Sequence, residues 1–596
     1  MPIVAVGVKQ LNQLLGKEFS RENLVDALEQ LGCDVEDTAE LGIYLCPVCE
    51  TPNDKLTEEA PPKRCDFCGH ESKSPFERIA VDKVIRLDLL AARPDLFDVG
   101  GLSRALKGYL GIEEGLTRFP VTKSGIEVNV DPIMSEPGTF RPFIVCALVK
   151  MPPLDHNSLK DVMKLQENLH WGIGRDRKLA SIGVYNLDVL EPPITFSSVD
   201  PVDFSFCPLG MPGTQMTPKE ILEGHPKGKA YAHLMTEYKR YPILQDSKGQ
   251  VLSMPPIINS EETKIKIGST NLFIDVTGLT PGAVVKSLDT LVSSLVELGG
   301  EIQTVQLNFP DRVEHTPNLE PGVIEIKFDE ARRWLGIDFT PDEMMFYLRK
   351  MRFDVTLKDD LHQVSYPAFR TDIKHEVDVF EDLAIGYGFK NIQTKLVPTM
   401  TVGEARAEEL ISQMVRETML GMGYNEIMSL LLQSEERLFE KHLIPIGEDH
   451  VRVDNPKTIE QKVMRNHMAT GILEVFHQNR RKALPQKIFE IGNIVLIDDK
   501  KETRTSEHRH VAFAVIGPEA GYAEGRATMD AILYEIQRTA TYIAGTHPSF
   551  SEGRFARMDG DDGLWGLLGE FHPQVLTNFG LSYPVVYGEL RLRQVI

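Results

Sequence analysis

Residues 366–389, YPAFRTDIKHEVDVFEDLAIGYGF, crowd Asp372, Glu376, Asp378, Glu381 and Asp382 into eleven residues beside Arg370 and an apolar set. Asp378, Glu381 and Asp382 stand at i, i+3 and i+4, so the spacing predicts a helix whose first turn gathers carboxylates, with Asp372 capping or preceding it. Convergent carboxylates require a counter-charge. That is either a hard cation with oxygen ligands, Mg²⁺ or Ca²⁺, or a basic partner surface. A solvated acidic helix start favoured by the macrodipole is the alternative.

The stretch belongs to a repeat. Residues 335–355, LGIDFTPDEMMFYLRKMRFDV, match residues 15–35, LGKEFSRENLVDALEQLGCDV, without a gap at Leu15/Leu335, Gly16/Gly336, Phe19/Phe339, Ser20/Thr340, Leu28/Leu348, Asp34/Asp354 and Val35/Val355. Arg93-Pro94-Asp95-Leu96 then resembles Arg370-Thr371-Asp372-Ile373, and Gly111 falls where Gly388 falls. Each copy predicts a helix from Ser20 or Thr340, with apolar residues at helical spacing. The second copy has Asp378, Glu381 and Asp382 where the first has Gly101, Arg104 and Ala105, so the shared frame does not demand the carboxylates.

Between Val35 and Arg93 there are 58 steps, against 15 between Val355 and Arg370, so the first copy carries 43 extra residues. They hold Cys46-Pro-Val-Cys49 and, fifteen residues on, Cys65-Asp-Phe-Cys68-Gly69. C-x2-C-x15-C-x2-C lets two knuckles present four thiolates tetrahedrally to Zn²⁺. Four thiolates close the coordination shell, so the metal is expected to be structural and to hold a ribbon too small for its own core. His70 is expected to be a neighbour of the site.

A length of 596 residues suggests about four domains. The net charge of -22 argues against a chain that grips nucleic acid along its whole surface and leaves room for local contacts. There is no run of eighteen apolar residues and no export signal in MPIVAVGVKQLNQLL, and Cys33, Cys146 and Cys207 stand alone. A soluble, reducing, cytoplasmic setting is the expectation, with no membrane contact.

From about Phe140 to Asn308 strand-like runs alternate with helices, a mixed α/β domain. Gly174-Arg175-Asp176-Arg177-Lys178 reads as a basic turn, either touching phosphate or solvated. Tyr241–Leu244 and Val251–Asn259 read as two strands around a turn at 246–249, placing Ser253 among apolar residues. Asp275 and Thr277, two apart, share a strand face and are candidates for a pocket carboxylate and hydroxyl; strand-end residues satisfied by loop backbone are the alternative. Further on, 404–423 predicts an amphipathic helix, EIMSLLLQS a strand, Arg465 a helix start, KIFEIGNIVLI a buried strand and GLWGLLGEFHP a strand-turn-strand. That order fits an antiparallel sheet with helices packed on it, and neither a P-loop nor a Rossmann fingerprint is present.

These stretches together resemble the β subunits of phenylalanyl-tRNA synthetases, in the archaeal and eukaryotic arrangement without the long N-terminal OB fold and C-terminal anticodon domain. Arg370-Thr371-Asp372-Ile373, Glu376, Asp378, Glu381-Asp382 and Gly386-Tyr387-Gly388-Phe389 follow the family's B5 module, and Arg93–Leu96 with Gly101-Leu102 its B1 module. Leu252–Asn259 and Phe273–Gly278 look like the B3/B4 editing domain, and Phe489-Glu490-Ile491-Gly492 like the B6/B7 module. The resemblance implies an α+β multidomain chain: a B1-like module at 1–115 with the cysteine insertion at about 40–80, a B3/B4-like domain at 116–312, B5 at 320–395, and a non-catalytic class II synthetase-like domain at 400–596. It implies Mg²⁺ at Asp372, Asp378, Glu381 and Asp382, shared with an α subunit. It also implies an editing pocket at Leu244, Ser253, Asp275 and Thr277 that hydrolyses tyrosine wrongly attached to tRNA(Phe). The α subunit would supply the ATP and phenylalanine sites within an α2β2 heterotetramer. The four-cysteine insertion departs from the family pattern. A free-standing misacylated-tRNA hydrolase and a non-enzymatic RNA-binding assembly protein are the competing readings.

Overall fold

The computed structural model describes residues 3–136, 140–358, 361–397, 399, 401–560 and 565–592. The chain divides into two compact units, Met1–Lys395 and Leu396–Ile596.

In the first unit the sequence repeat is a repeat of elements. Strand Ile3–Gly7, helices Val8–Leu15 and Arg21–Gln30, strands Asp34–Leu45 and Glu77–Asp88 and helix Val99–Tyr109 form one copy. Strand Gly322–Ile326, helices Phe328–Leu335 and Pro341–Lys350, strands Asp354–Lys358 and Leu361–Tyr366 and helix Glu376–Tyr387 form the other. In both, the third strand lies between the first and second. The first helices end on Gly16 and Gly336 with φ of 67° and 66°, a left-handed cap that a side chain would strain.

The helix starts explain why the copies diverged. In the first copy Asp98 caps the helix by accepting from Gly100 N and Gly101 N, both at 3.0 Å. A Cβ at Gly101 would fall 1.7 Å from Asp95 O, and one at Gly100 2.7 Å from Ser294 O. That helix start is pressed against helix Pro281–Glu297, where Ser294 Oγ donates to Asp98 at 2.8 Å, so glycine is the residue that fits. In the second copy Asp378 takes the place of Gly101 and accepts from the Lys374 and His375 backbone amides at 2.7 Å.

The middle of the unit is one ten-stranded sheet. Strand Asn271–Gly278 lies between Phe143–Lys150 and the edge strand Ala180–Asn186, antiparallel to both. Its residues alternate: Ile274 and Val276 join helices His156–Trp171 and Pro281–Glu297 in one core, while Phe273 packs on the other side with Tyr185, Phe196 and Leu244. Tyr241–Gln245 and Val251–Met254 form the expected hairpin, its turn held by Asp246 accepting from Lys248 N and Gln250 N at 2.9 Å.

The second unit is a seven-stranded sheet, antiparallel except for a two-residue edge strand, Asn425–Glu426. Gln486–Ile497 is the buried strand read from KIFEIGNIVLI, and the amphipathic helix runs Ala407–Gly421. Three local expectations are corrected. EIMSLLLQS is two short strands: its backbone pairing with Gln486–Ile497 ends at Ile427, and beyond it the Ser429 hydroxyl donates to Glu490 at 2.6 Å. Arg465 does not open a helix; it is buried and ion-paired with Glu490 at 2.7 Å, and the helix begins at Ala469. Gly563 and Leu564 lie outside the described residues, and from Trp565 the chain is one strand to Phe571 followed by helix Pro573–Asn578.

Candidate functional site

Cys46, Cys49, Cys65 and Cys68 place their sulfurs within 4.8 Å of one another, all buried. Cys46 Sγ is 3.9 Å from Cys68 Sγ and Cys49 Sγ 3.6 Å from Cys65 Sγ. A tetrahedron with Zn–S of about 2.3 Å sets its sulfurs about 3.8 Å apart, so the cage fits zinc. Two knuckles shape it: Glu50 N donates to Cys46 O at 3.1 Å and Gly69 N to Cys65 O at 3.0 Å. Asn53 Nδ2 also points to Cys65 Sγ at 3.6 Å. Contact with Cys46 pushes the Cys49 and Cys68 thiols above their ordinary value, so the four cannot all ionise without a cation among them. His70 is a neighbour through its carbonyl, which accepts from Cys65 N at 2.8 Å.

A narrow cleft of about 40 Å³ opens beside this ribbon. Its polar floor is Tyr185, Ser253 and Asp275: Tyr185 Oη donates to Asp275 Oδ1 at 2.5 Å and lies 2.7 Å from Ser253 Oγ. Burial pushes the Asp275 carboxyl up to about 7, against the pull of Tyr185 and Arg141, and pushes the Tyr185 phenol well above its usual range. The floor is open because residue 183 is glycine: a Cβ there would sit 1.8 Å from Tyr185 Oη and 2.3 Å from Asp275 Oδ1.

Of the residues expected at this pocket, the structure brings Ser253 and Asp275 together. Thr277 shares their side of the sheet, as its spacing required, but lies off the cleft wall, 3.3 Å from Ser181 Oγ and from Arg141 Nε. Leu244 pairs with Ser253 in register and is buried in the core behind it. Tyr185 and Gly183 were not singled out in the sequence. An aromatic and a glycine in one strand carry no signal until the register sets them against Asp275 and Phe273.

The basic turn is neither simply solvated nor a free cationic lip. Arg175, Asp176 and Arg177 all have left-handed φ, of 49°, 54° and 65°, which turns Arg177 inward while Arg175 and Lys178 stay exposed. Arg177 pairs with Glu167 at 2.6 Å, donates to Ile257 O at 3.0 Å and stacks over Tyr231 at 4.5 Å. It thereby fixes the Pro255–Ile257 wall of the cleft. His170, also on the wall, accepts from Ile182 N at 2.8 Å, and burial lowers it to about 4, so it is neutral at physiological pH.

The acidic helix does not assemble a cation site from this chain alone. Asp372 and Asp382 both pair with the buried Arg370, at 2.6 and 2.5 Å. Asp378 caps the helix, and Glu381 is exposed on it. Among the described residues only the four cysteines form a group able to hold a metal ion. The counter-charge that the carboxylates needed is in large part an arginine.

Residues 324–389 match the family described as "tRNA synthetase B5 domain", and residues 392–592 match "Phenylalanyl tRNA synthetase beta chain CLM domain". Over 604 residues the chain is 33% identical to the phenylalanine–tRNA ligase beta subunit of Methanosphaera stadtmanae, covering 100% of both. It is 34% identical over 595 residues to that of Archaeoglobus fulgidus, covering 99% of this chain and 98% of the relative. The crystal structure of an N-terminal fragment of the phenylalanyl-tRNA synthetase β-subunit from Pyrococcus horikoshii superimposes with a TM-score of 0.55 at 34% identity, over 65% of this chain and 99% of the fragment. Among the described residues no helix is long and apolar enough to cross a membrane. Full-length identity to these relatives, the two family matches and the shared fold of the N-terminal part place the chain in the family of phenylalanine–tRNA ligase β subunits, part of an aminoacyl-tRNA synthetase.

Proposed function

We propose that this β subunit works in the cytoplasm with an α subunit, as an α2β2 assembly that attaches phenylalanine to tRNA(Phe) at the expense of ATP, and that its middle domain removes tyrosine attached in error. The observation that supports editing is the cleft itself: walls of mixed character, apolar at Phe67, Met163, Leu209 and Pro255–Ile258, end on Tyr185, Ser253 and an Asp275 carboxyl that burial pushes up to about 7. A synthetic pocket for phenylalanine rejects a ring with one added hydroxyl only weakly, so a second site must clear the error. A floor of three polar groups suits that task. A tyrosyl hydroxyl can join the hydrogen-bond network of these groups, whereas a phenyl ring offers it no partner. Tyr185 holds Asp275 in place and Gly183 leaves room for both.

The cysteine cage takes Zn²⁺ as a structural ion; the metal staples the ribbon and supplies no step of the reaction. Mg²⁺ at the α contact would rest on Glu381 and the free oxygen of Asp378 with ligands from the partner, since Arg370 engages the other two carboxylates. The ATP and phenylalanine sites belong to α in this reading. Its test is deacylation of Tyr-tRNA(Phe) by the assembled enzyme. Asp275→Ala should abolish it while leaving phenylalanine charging intact, and unaltered deacylation would refute the assignment.

A further inference from the structure

The four-cysteine ribbon is inserted into the first module, yet its tip ends at the cleft of the middle domain. Phe67, between the ligands Cys65 and Cys68, is buried and lines the cleft together with Met163 and Leu209. The seat is close-fitting. A Cβ at Gly69, whose φ is +78°, would lie 2.9 Å from Pro226 Cβ, and one at Gly210, at φ +87°, would lie 2.9 Å from Cys68 Cβ. The loop carrying Leu209 is therefore packed directly on a metal ligand, with glycines on both sides to permit the approach. Two polar ties hold the ribbon to the same domain: Lys164 pairs with Asp54 at 2.6 Å, and Lys264 Nζ reaches Val48 O at 3.5 Å. The ribbon's own buried cluster is Tyr44, Phe67, Phe76 and the cysteines, with Val48, Met163 and Leu209 packed against it, and a cluster that small needs the metal to hold the ribbon's fold.

We infer that the ribbon is a metal-stapled wall of the editing cleft, and that Phe67 is a specificity-determining residue, giving an apolar aromatic face to the side chain of the aminoacyl group. The inference rests on the editing reading for what the cleft binds, and on contacts alone for the ribbon being its wall. The zinc sets where the ring stands; the polar floor reads the hydroxyl.

Two measurements on the assembled enzyme with its α subunit test these parts separately. In the first, hydrogen exchange is followed before and after zinc is stripped with a chelator. Protection should fall in the ribbon and also at 207–211 and 226–231; a change confined to the ribbon overturns the wall. In the second, Phe67→Ala and Phe67→Leu are compared for zinc content, phenylalanine charging and the KM and kcat of Tyr-tRNA(Phe) deacylation. Phe67→Ala should keep one zinc per chain and normal charging and raise KM on the order of tenfold with a smaller change in kcat, and Phe67→Leu should restore most of it. Wild-type kinetics in Phe67→Ala overturns the role of Phe67. Absence of deacylation by the wild-type enzyme would instead refute editing, and leaves the exchange result to decide the wall.

Discussion

Arg370 and Asp382 form a buried ion pair at 2.5 Å, and Arg93, the same arginine in the other copy of the repeat, stands 4.0 Å from the remaining oxygen of that carboxylate. Each arginine also grips the aspartate two residues on, Arg93 with Asp95 at 2.9 Å and Arg370 with Asp372 at 2.6 Å. The charges of the two copies thus meet at one carboxylate between them. Removing one partner of a buried pair strands the other, at a cost of roughly 3–5 kcal/mol. Arg370→Ala should therefore lower the urea midpoint of the isolated β chain sharply, and Arg370→Ala combined with Asp382→Ala should recover part of the loss. A double variant worse than the sum of the singles would show that the pair is not the relevant interaction.

The raised Asp275 carboxyl gives stability a pH dependence of fixed sign. Its pKa rises from 3.8 to about 7 on folding, so between those values the folded chain holds the extra proton and stability falls as pH rises, levelling off above about 7. Asp275→Asn removes this slope. Relative to the variant, the wild type should lose stability between pH 4.5 and 8 by up to a few kcal/mol, measured as the difference in urea midpoints. A difference that grows in the wild type's favour would contradict the assignment.

Gly183→Ala puts a methyl group where Tyr185 and Asp275 meet. Tyr185 has to leave the floor, and Tyr-tRNA(Phe) deacylation should fall by at least tenfold with phenylalanine charging untouched. Retention of both activities would show that the Tyr185–Asp275 contact is dispensable.

Zinc content should be close to one per chain and absent in Cys46→Ser, by elemental analysis of the purified protein. Because the ligands are thiolates, acid should release the metal as they protonate. Zinc retained by Cys46→Ser would exclude the four-cysteine cage.

How much of this was legible in the sequence depended on range. The repeat was, because helix spacing, caps and the terminal Gly16 and Gly336 are local and recur without a gap. The cage was, because C-x2-C encodes a knuckle by itself. Asp275 and Thr277 followed from strand alternation, which gives the face of a side chain but not which of two neighbours reaches the cleft. What stayed hidden was tertiary. Arg370 belonged to Asp382 as well as to Asp372, three successive left-handed residues turned Arg177 inward, and Phe67 met a cleft whose floor comes from residues more than a hundred positions later. The fate of EIMSLLLQS was equally non-local, since the Glu490 that accepts from the Ser429 hydroxyl lies 61 positions further along the chain.

The hairpin of Asp34–Leu45 and Glu77–Asp88 has two strands of 12 residues each. At about 3.3 Å per residue it is an arm about 40 Å long, with the cage at its tip. Its length is a ruler. Removing two residues from each strand keeps every side chain on its original face but withdraws the tip by about 7 Å, leaving the cleft without one side while both modules remain whole. The number of residues in a strand of the first module is thus a dimension of a pocket in the next.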